Sequence, residues 1–223
     1  MLKKFSSTVV FDLDGTLSDP KPGITRCIQY ALSELGYKLP NADELNWCIG
    51  PPLQDSFSQL LNTVDQNIIA QALKLYRSRY STIGLFENSL YPEIPEILQA
   101  IRCSGYKTFV ATSKPQIYAR RIIDHFALSS LFDGVYGSEL DGNLSKKSDL
   151  LKHILLTEGL SPSAVVMVGD RLHDIIGAKY HNISSIGVTY GYGTEQELKA
   201  QGADRIAHHP EDIPKLLATI FLI

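Results

Sequence analysis

Cysteine is scarce in this chain of 223 residues: Cys27, Cys48 and Cys103 are far apart and in no CxxC spacing. Neither a disulfide framework nor a zinc knuckle is indicated, and a reducing compartment fits best. Excess charge of one sign is also missing. The 21 Lys and Arg against 24 Asp and Glu leave a formal −3, which gives no basic footprint for a nucleic-acid polymer or an anionic membrane. Long apolar runs are absent too. Ile213 to Ile223 falls far short of the roughly 20 residues that cross a bilayer, and Lys215 interrupts it, so a docked terminal helix is expected there. Met1-Leu2-Lys3-Lys4-Phe5 imitates the start of a signal peptide, but Asp12 and Asp14 break the following apolar run before any cleavage region. The expected location is cytoplasmic and the expected partners are small molecules. No signal of oligomeric state is present.

What remains is enough for a large core, or a core plus a small second domain, at 44% apolar and 20% charged residues. Apolar runs at Thr8 to Leu13, Thr108 to Thr112, Val135 to Gly137, Val165 to Gly169 and Ser185 to Thr189 read as strands buried on both faces. Helical stripes lie between them, such as Ile94, Ile97, Leu98 and Ile101, or Leu150, Leu151, Ile154 and Leu155. This alternation predicts an α/β fold with a parallel sheet, and ligands at the carboxyl ends of its strands. More than 90 residues separate the first strand from the second, far more than one crossover requires. Within that gap, Ile24, Cys27, Ile28, Ala31, Leu32 and Leu35 keep a helical period, as do Ile68, Ile69, Ala72, Leu73 and Tyr76. The expected organisation is a Rossmann-like parallel-sheet core of residues 1–20 and 86–223, with an inserted all-α cap of residues 21–85.

Four stretches at strand ends or in loops carry chemistry. Asp12 and Asp14 end the first strand. Alternation along a strand would send both off the same side, where two charges about 5 Å apart repel by roughly 3 kcal/mol at an effective dielectric of about 20. A proton, a cation or a lysine must compensate. Gly15 allows a tight turn and Thr16 supplies a hydroxyl. Ala111-Thr112-Ser113-Lys114-Pro115 brings hydroxyls and N–H groups to a helix start, an arrangement suited to phosphate, although Thr112 and Ser113 serve equally as caps. Lys146 and Lys147 precede a helix expected near Asp149. Asp170 and Asp174 follow an apolar strand. Four convergent carboxylates against one lysine call for a hard divalent cation, and Mg2+ with a phosphate ester matches the donor set.

Asp12-Leu13-Asp14-Gly15-Thr16, Thr112, Lys147 and Gly169-Asp170 with Asp174 resemble the four motifs of the haloacid dehalogenase superfamily in order and spacing. Tyr91-Pro92-Glu93-Ile94, Ile49-Gly50-Pro51-Pro52-Leu53 and Gly187-Val188-Thr189-Tyr190-Gly191-Tyr192-Gly193 are similar to its phosphoglycolate phosphatase-like branch. The resemblance implies that Asp12 is a nucleophile forming an aspartyl-phosphate and that Asp14 is the general acid and base. It further implies that Lys147, Thr112 and the Ser113 N–H, beside the Gly15-Thr16 turn, bind the phosphoryl group. Mg2+ would be held by Asp12, the Asp14 carbonyl and Asp170, with Asp174 in support. The family pattern favours Lys147 over Lys146 as the site lysine.

The resulting expectation is a Mg2+-dependent phosphatase acting on a small phosphomonoester such as phosphoglycolate, a sugar phosphate or a nucleotide monophosphate. A β-phosphoglucomutase-type phosphomutase is an alternative, opposed by Thr16, since the threonine form of the first motif is more typical of the phosphatases. A non-catalytic phosphometabolite sensor is another, opposed by the presence of both Asp12 and Asp14. A dehalogenase is disfavoured because displacing halide from carbon has no evident need for Asp14 or Mg2+. The cap would exclude water and read the leaving group through the Ile49–Pro52 loop with Gln54, and Arg26 and Tyr30 are candidates for a substrate anion.

Overall fold

The computed structural model describes residues 7–221. Met1–Phe5, the signal-like start, and Leu222 and Ile223, the end of the expected terminal helix, lie outside them. The chain divides into two compact units, one reaching Ser18 and resuming at Leu90, the other Asp19–Ser89.

From the N-terminal side, β1 (Thr8–Phe11) is followed by the short β2 (Ser18–Asp19). The second unit is helical, with α1 (Lys21–Glu34), α2 (Leu53–Leu60) and α3 (Gln66–Tyr80). Its expected stripes are largely its core: Ile24, Cys27, Ile28, Ala31 and Leu32 are buried, as are Ile69, Ala72 and Tyr76. The first unit resumes through the short β3 (Ser89–Leu90), which pairs with β2. Next come α4 (Ile94–Cys103), β4 (Lys107–Pro115), α5 (Gln116–His125), β5 (Gly134–Ser138) and α6 (Lys147–Glu158). The remaining elements are β6 (Val165–Gly169), α7 (Leu172–Tyr180), β7 (Ser184–Val188), α8 (Glu195–Ala200), β8 (Arg205–Ala207) and α9 (Asp212–Phe221). No helix among the described residues is long and apolar enough to cross a membrane.

Six strands form one sheet in the order β5-β4-β1-β6-β7-β8, every pair parallel. Parallel strands need both faces covered, and the central ones are buried throughout. Val10, Phe109, Ala111, Val165 and Met167 alternate onto one face and pack with Leu150, Leu151 and Ile154 of α6 and Ala178 of α7. The register sets Phe11 beside Val110 on β4 and Val168 on β6. Phe11, Val110 and Val168 are therefore level, and the residues that follow them along the chain include Asp12, Thr112 and Asp170.

Candidate active site

β1 ends at Phe11, one residue before Asp12, and the strand alternation expected to pair Asp12 with Asp14 stops there. Beyond it the chain turns: Leu17 N–H donates to the Leu13 carbonyl at 2.9 Å, and Gly15 adopts φ +81°. A side chain at Gly15 would be strained at that φ, and its Cβ would sit 2.1 Å from Asp170 Oδ2. The turn sends the two aspartates to different partners. Asp12 Oδ1 lies 3.0 Å from Lys147 Nζ and accepts from its neighbour Leu13 N–H at 2.7 Å. Asp14 Oδ1 lies 2.6 Å from Lys114 Nζ.

Lys147 is the buried lysine of the Lys146–Lys147 pair, and Lys146 is exposed. The helix carrying it, α6, begins at Lys147 itself, two residues earlier than expected near Asp149. Its ammonium reaches Asp174 Oδ1 at 2.8 Å and donates to the Ala111 carbonyl at 2.7 Å. Burial alone would lower the Lys147 pKa, but Asp12 and Asp174 outweigh it and hold the ammonium charged.

Carboxylate oxygens of Asp12, Asp170 and Asp174 lie within 4.8 Å of one another, all three residues buried. The Asp14 carboxylate is not in this trio. Burial pushes the Asp170 carboxyl well above the usual range, and Asp174 and Asp12 add to the push. Asp174 is also raised, by burial first and Asp12 second, against the pull of Lys147. Asp14 is raised by burial despite Lys114.

Asp170 is fixed from two sides. Thr16 Oγ1 donates to its Oδ1 at 3.4 Å and Tyr192 N–H to its Oδ2 at 2.8 Å. The Thr189–Gly193 loop, within the stretch that is similar to the phosphoglycolate phosphatase-like branch, thus holds Asp170. Tyr190 OH donates to the Thr16 carbonyl at 3.0 Å, and a Cβ at Gly191 would meet the Gly15 carbonyl oxygen at 2.2 Å. Asp174 Oδ2 accepts from Arg171 N–H at 3.1 Å, across the first turn of α7. Glu197 of α8 accepts from Leu172 N–H at 2.8 Å and from Arg171 Nε at 3.3 Å, so it braces the loop bearing Asp170.

Thr112 is buried at the end of β4. Its Oγ1 accepts from Lys114 N–H at 3.2 Å, and the Ser113 carbonyl accepts from Ser138 Oγ at 2.9 Å. Neither hydroxyl caps α5, whose N-cap is Pro115. In the helical unit Arg26 pairs with Glu87 at 2.8 Å, and Gln54 Nε2 donates to Gln66 Oε1 at 3.0 Å.

Lys114 and Glu197 are the residues that the sequence alone does not single out. Lys114 directly follows Thr112 and Ser113, but nothing in its spacing announces a buried ion pair. Glu197 comes from a helix 25 residues beyond Leu172 and gives no local signal.

Residues 9–188 match the family model of haloacid dehalogenase-like hydrolases. The chain is 45% identical over 192 residues, 86% of each protein, to a 5′-nucleotidase of Pseudomonas aeruginosa. It is 36% identical over 202 residues to the tyrosine-protein kinase PtkA of Mycobacterium tuberculosis, covering 90% of this chain and 68% of that one. A crystal structure described as a predicted phosphatase from Clostridium acetobutylicum superposes with a TM-score of 0.90 at 37% identity, covering 99% of this chain and 100% of that one. With buried carboxylates around Lys147 at the ends of three central parallel strands, and with the family match and the 45% identity to a 5′-nucleotidase, the chain belongs to the haloacid dehalogenase-like hydrolase family and is a phosphoric monoester hydrolase.

Proposed function

We propose that the enzyme hydrolyses a small phosphomonoester in a Mg2+-dependent reaction through a phosphoryl group carried on Asp12. A nucleoside 5′-monophosphate is the first choice of substrate, ahead of phosphoglycolate and sugar phosphates, on the strength of the 45% identity to a 5′-nucleotidase. The observation that carries the reading is the division of labour between the two aspartates: each has its own lysine, and only Asp12 belongs to the carboxylate trio.

The donor set fits a divalent cation. Four buried carboxylates (Asp12, Asp14, Asp170, Asp174) face the ammonium groups of Lys114 and Lys147, so with all six ionised 2 − 4 would leave a formal −2 away from water, and burial with this crowding raises the Asp14 and Asp170 carboxyls. Asp12 and Asp170, with the Asp14 carbonyl and with Asp174 in support, would hold Mg2+, which would neutralise that excess and the phosphoryl charge. Asp12 attacks phosphorus, forming the new O–P bond as the ester O–P bond breaks. Asp14 gives its proton to the leaving oxygen, then takes one from the water that attacks the phosphoryl-aspartate. Lys147 pairs with Asp12 and, with Thr112 and the Ser113 N–H, stabilises charge on the phosphoryl oxygens.

Phosphate release from a panel of nucleotide, sugar and carboxylic-acid monophosphates tests this, with EDTA and Asp12→Asn as controls. Turnover lost in both controls is expected, with nucleoside monophosphates turned over fastest. No release from any ester would sink the reading. The similarity to a tyrosine-protein kinase favours a second one, in which Asp12 takes part in phosphoryl transfer to a protein hydroxyl. Label passing from ATP to a tyrosine peptide faster than to water would establish it.

A further inference from the structure

We propose that Lys114 is the positioning residue for Asp14 in the chemical step, a role that rests on the phosphomonoester hydrolysis above. The two side chains are 6% and 9% exposed and meet at 2.6 Å. Asp14 has no other hydrogen-bond donor among the described residues, and it is Oδ1 that accepts from the ammonium, so Oδ2 is the oxygen left for a reacting group.

The local fold explains why Lys114 can do this. β4 pairs with β5 regularly from Phe109↔Gly134 to Thr112↔Gly137, and the next pair is Pro115↔Ser138. Three residues of advance on β4 answer one on β5, so Ser113 and Lys114 are extra, and such a bulge re-aims a side chain out of the strand's alternation. The bulge is pinned at each point: Lys114 N–H on Thr112 Oγ1 at 3.2 Å, Ser138 Oγ on the Ser113 carbonyl at 2.9 Å. Gly137 closes against it, where a Cβ would come within 2.5 Å of the Lys114 carbonyl oxygen. A lysine on so fixed a backbone holds its carboxylate in one rotamer, and proton transfer demands that kind of placement. Lys147 cannot substitute, because its three contacts are Asp12, Asp174 and the Ala111 carbonyl.

In the first step the Asp12 oxygen bonds to phosphorus, the ester O–P bond breaks, and the proton on Asp14 goes to the departing oxygen. An alkoxide needs that proton and a 4-nitrophenolate does not. The test compares kcat/KM of wild type and Lys114→Met on 4-nitrophenyl phosphate and on the alkyl phosphate turned over fastest, since kcat/KM reports events through leaving-group departure. The expected result is a loss of at least about tenfold for the alkyl ester and a change within about threefold for the aryl ester. An equal loss on both esters, or none on either, would overturn the proposal.

Lys114→Met strands a buried carboxylate and can unfold the chain, so the double variant Lys114→Met with Asp14→Asn is measured against Asp14→Asn alone. Equal kcat/KM on the alkyl ester is expected if Lys114 acts through Asp14, and a further loss of tenfold would overturn it. Wild type turning over neither ester removes the phosphatase reading and this proposal together, a result distinct from every variant outcome.

Discussion

At the scale of single residues, the site is a problem in placing charge away from water. Lys147 has no solvent to fall back on: its side chain is 2% exposed, and it holds two carboxylates and a carbonyl at once. Replacing it leaves Asp12 and Asp174 unpaired, and breaking a buried pair by removing one partner costs about 3–5 kcal/mol. Lys147→Met should therefore lower turnover at least about a hundredfold and lower the melting temperature. Lys146→Ala, at an exposed position, should stay within about threefold of wild type in the same phosphate-release assay. A larger loss in Lys146→Ala would reverse the assignment. The motif aspartates and Thr112 stand out in the sequence because they follow apolar strands, whereas spacing alone does not separate Lys147 from Lys146 and only the family pattern prefers it. Lys114 does not stand out, because its aim depends on two extra residues in β4 that no periodicity shows.

At the scale of elements, continuous apolar runs announced the central strands, since strands buried on both faces have no polar side to confuse the pattern. β8 escaped notice for the opposite reason. It is three residues long, at the sheet edge, and opens with the exposed Arg205. The turn after β1 was legible as a glycine turn but not in its consequence, which is that Asp12 and Asp14 part company. In the helical unit, the periodic stripes gave α1 and α3, but not the ion pairs that tie them to one carboxylate. Glu87 receives Arg79 from α3 at 2.7 Å and Arg26 from α1 at 2.8 Å. The Arg79 hydrogen bond lowers the Glu87 pKa against the opposing effect of burial, and Arg26 adds to the lowering. A depressed carboxylate contributes stability that is present above its unfolded pKa, near 4.5, and is lost as pH falls through the lower folded value. Glu87→Gln should thus cost about 1 kcal/mol near pH 7, with the gap to wild type closing below about pH 4. Denaturant melts at a series of pH values measure it, and a gap that stays constant down to pH 3 would contradict the linkage.

For the whole molecule, the formal −2 buried at the strand ends means that site and stability pull against each other. Asp170 is the most instructive position, since burial and two neighbouring carboxylates all raise its pKa. In EDTA, Asp170→Asn should melt higher than wild type, by the equivalent of about 1–2 kcal/mol, because it removes one of four crowded negative charges. With Mg2+ the order should reverse. Wild type would gain about 2.7 kcal/mol at a hundred times its dissociation constant, and the variant would gain little. Calorimetric melts with and without the ion decide this, and a variant that melts lower in EDTA would show that the carboxylates are compensated by the protein alone.

The order of strands in the sheet bears on how the molecule comes to be active at all. β1 comes earliest in the chain of the sheet's six strands, yet both of its neighbours, β4 and β6, come roughly 100 and 157 residues later, with the helical unit encoded in the first interval. Closing loops of that length is entropically unfavourable and slow, so such pairings form late. Asp12 can meet Lys147 and Asp170 only after both have formed. Newly made chains would remain chemically silent until almost the entire sheet is assembled, and a partly folded population would release no phosphate from substrates it has yet no means to bind.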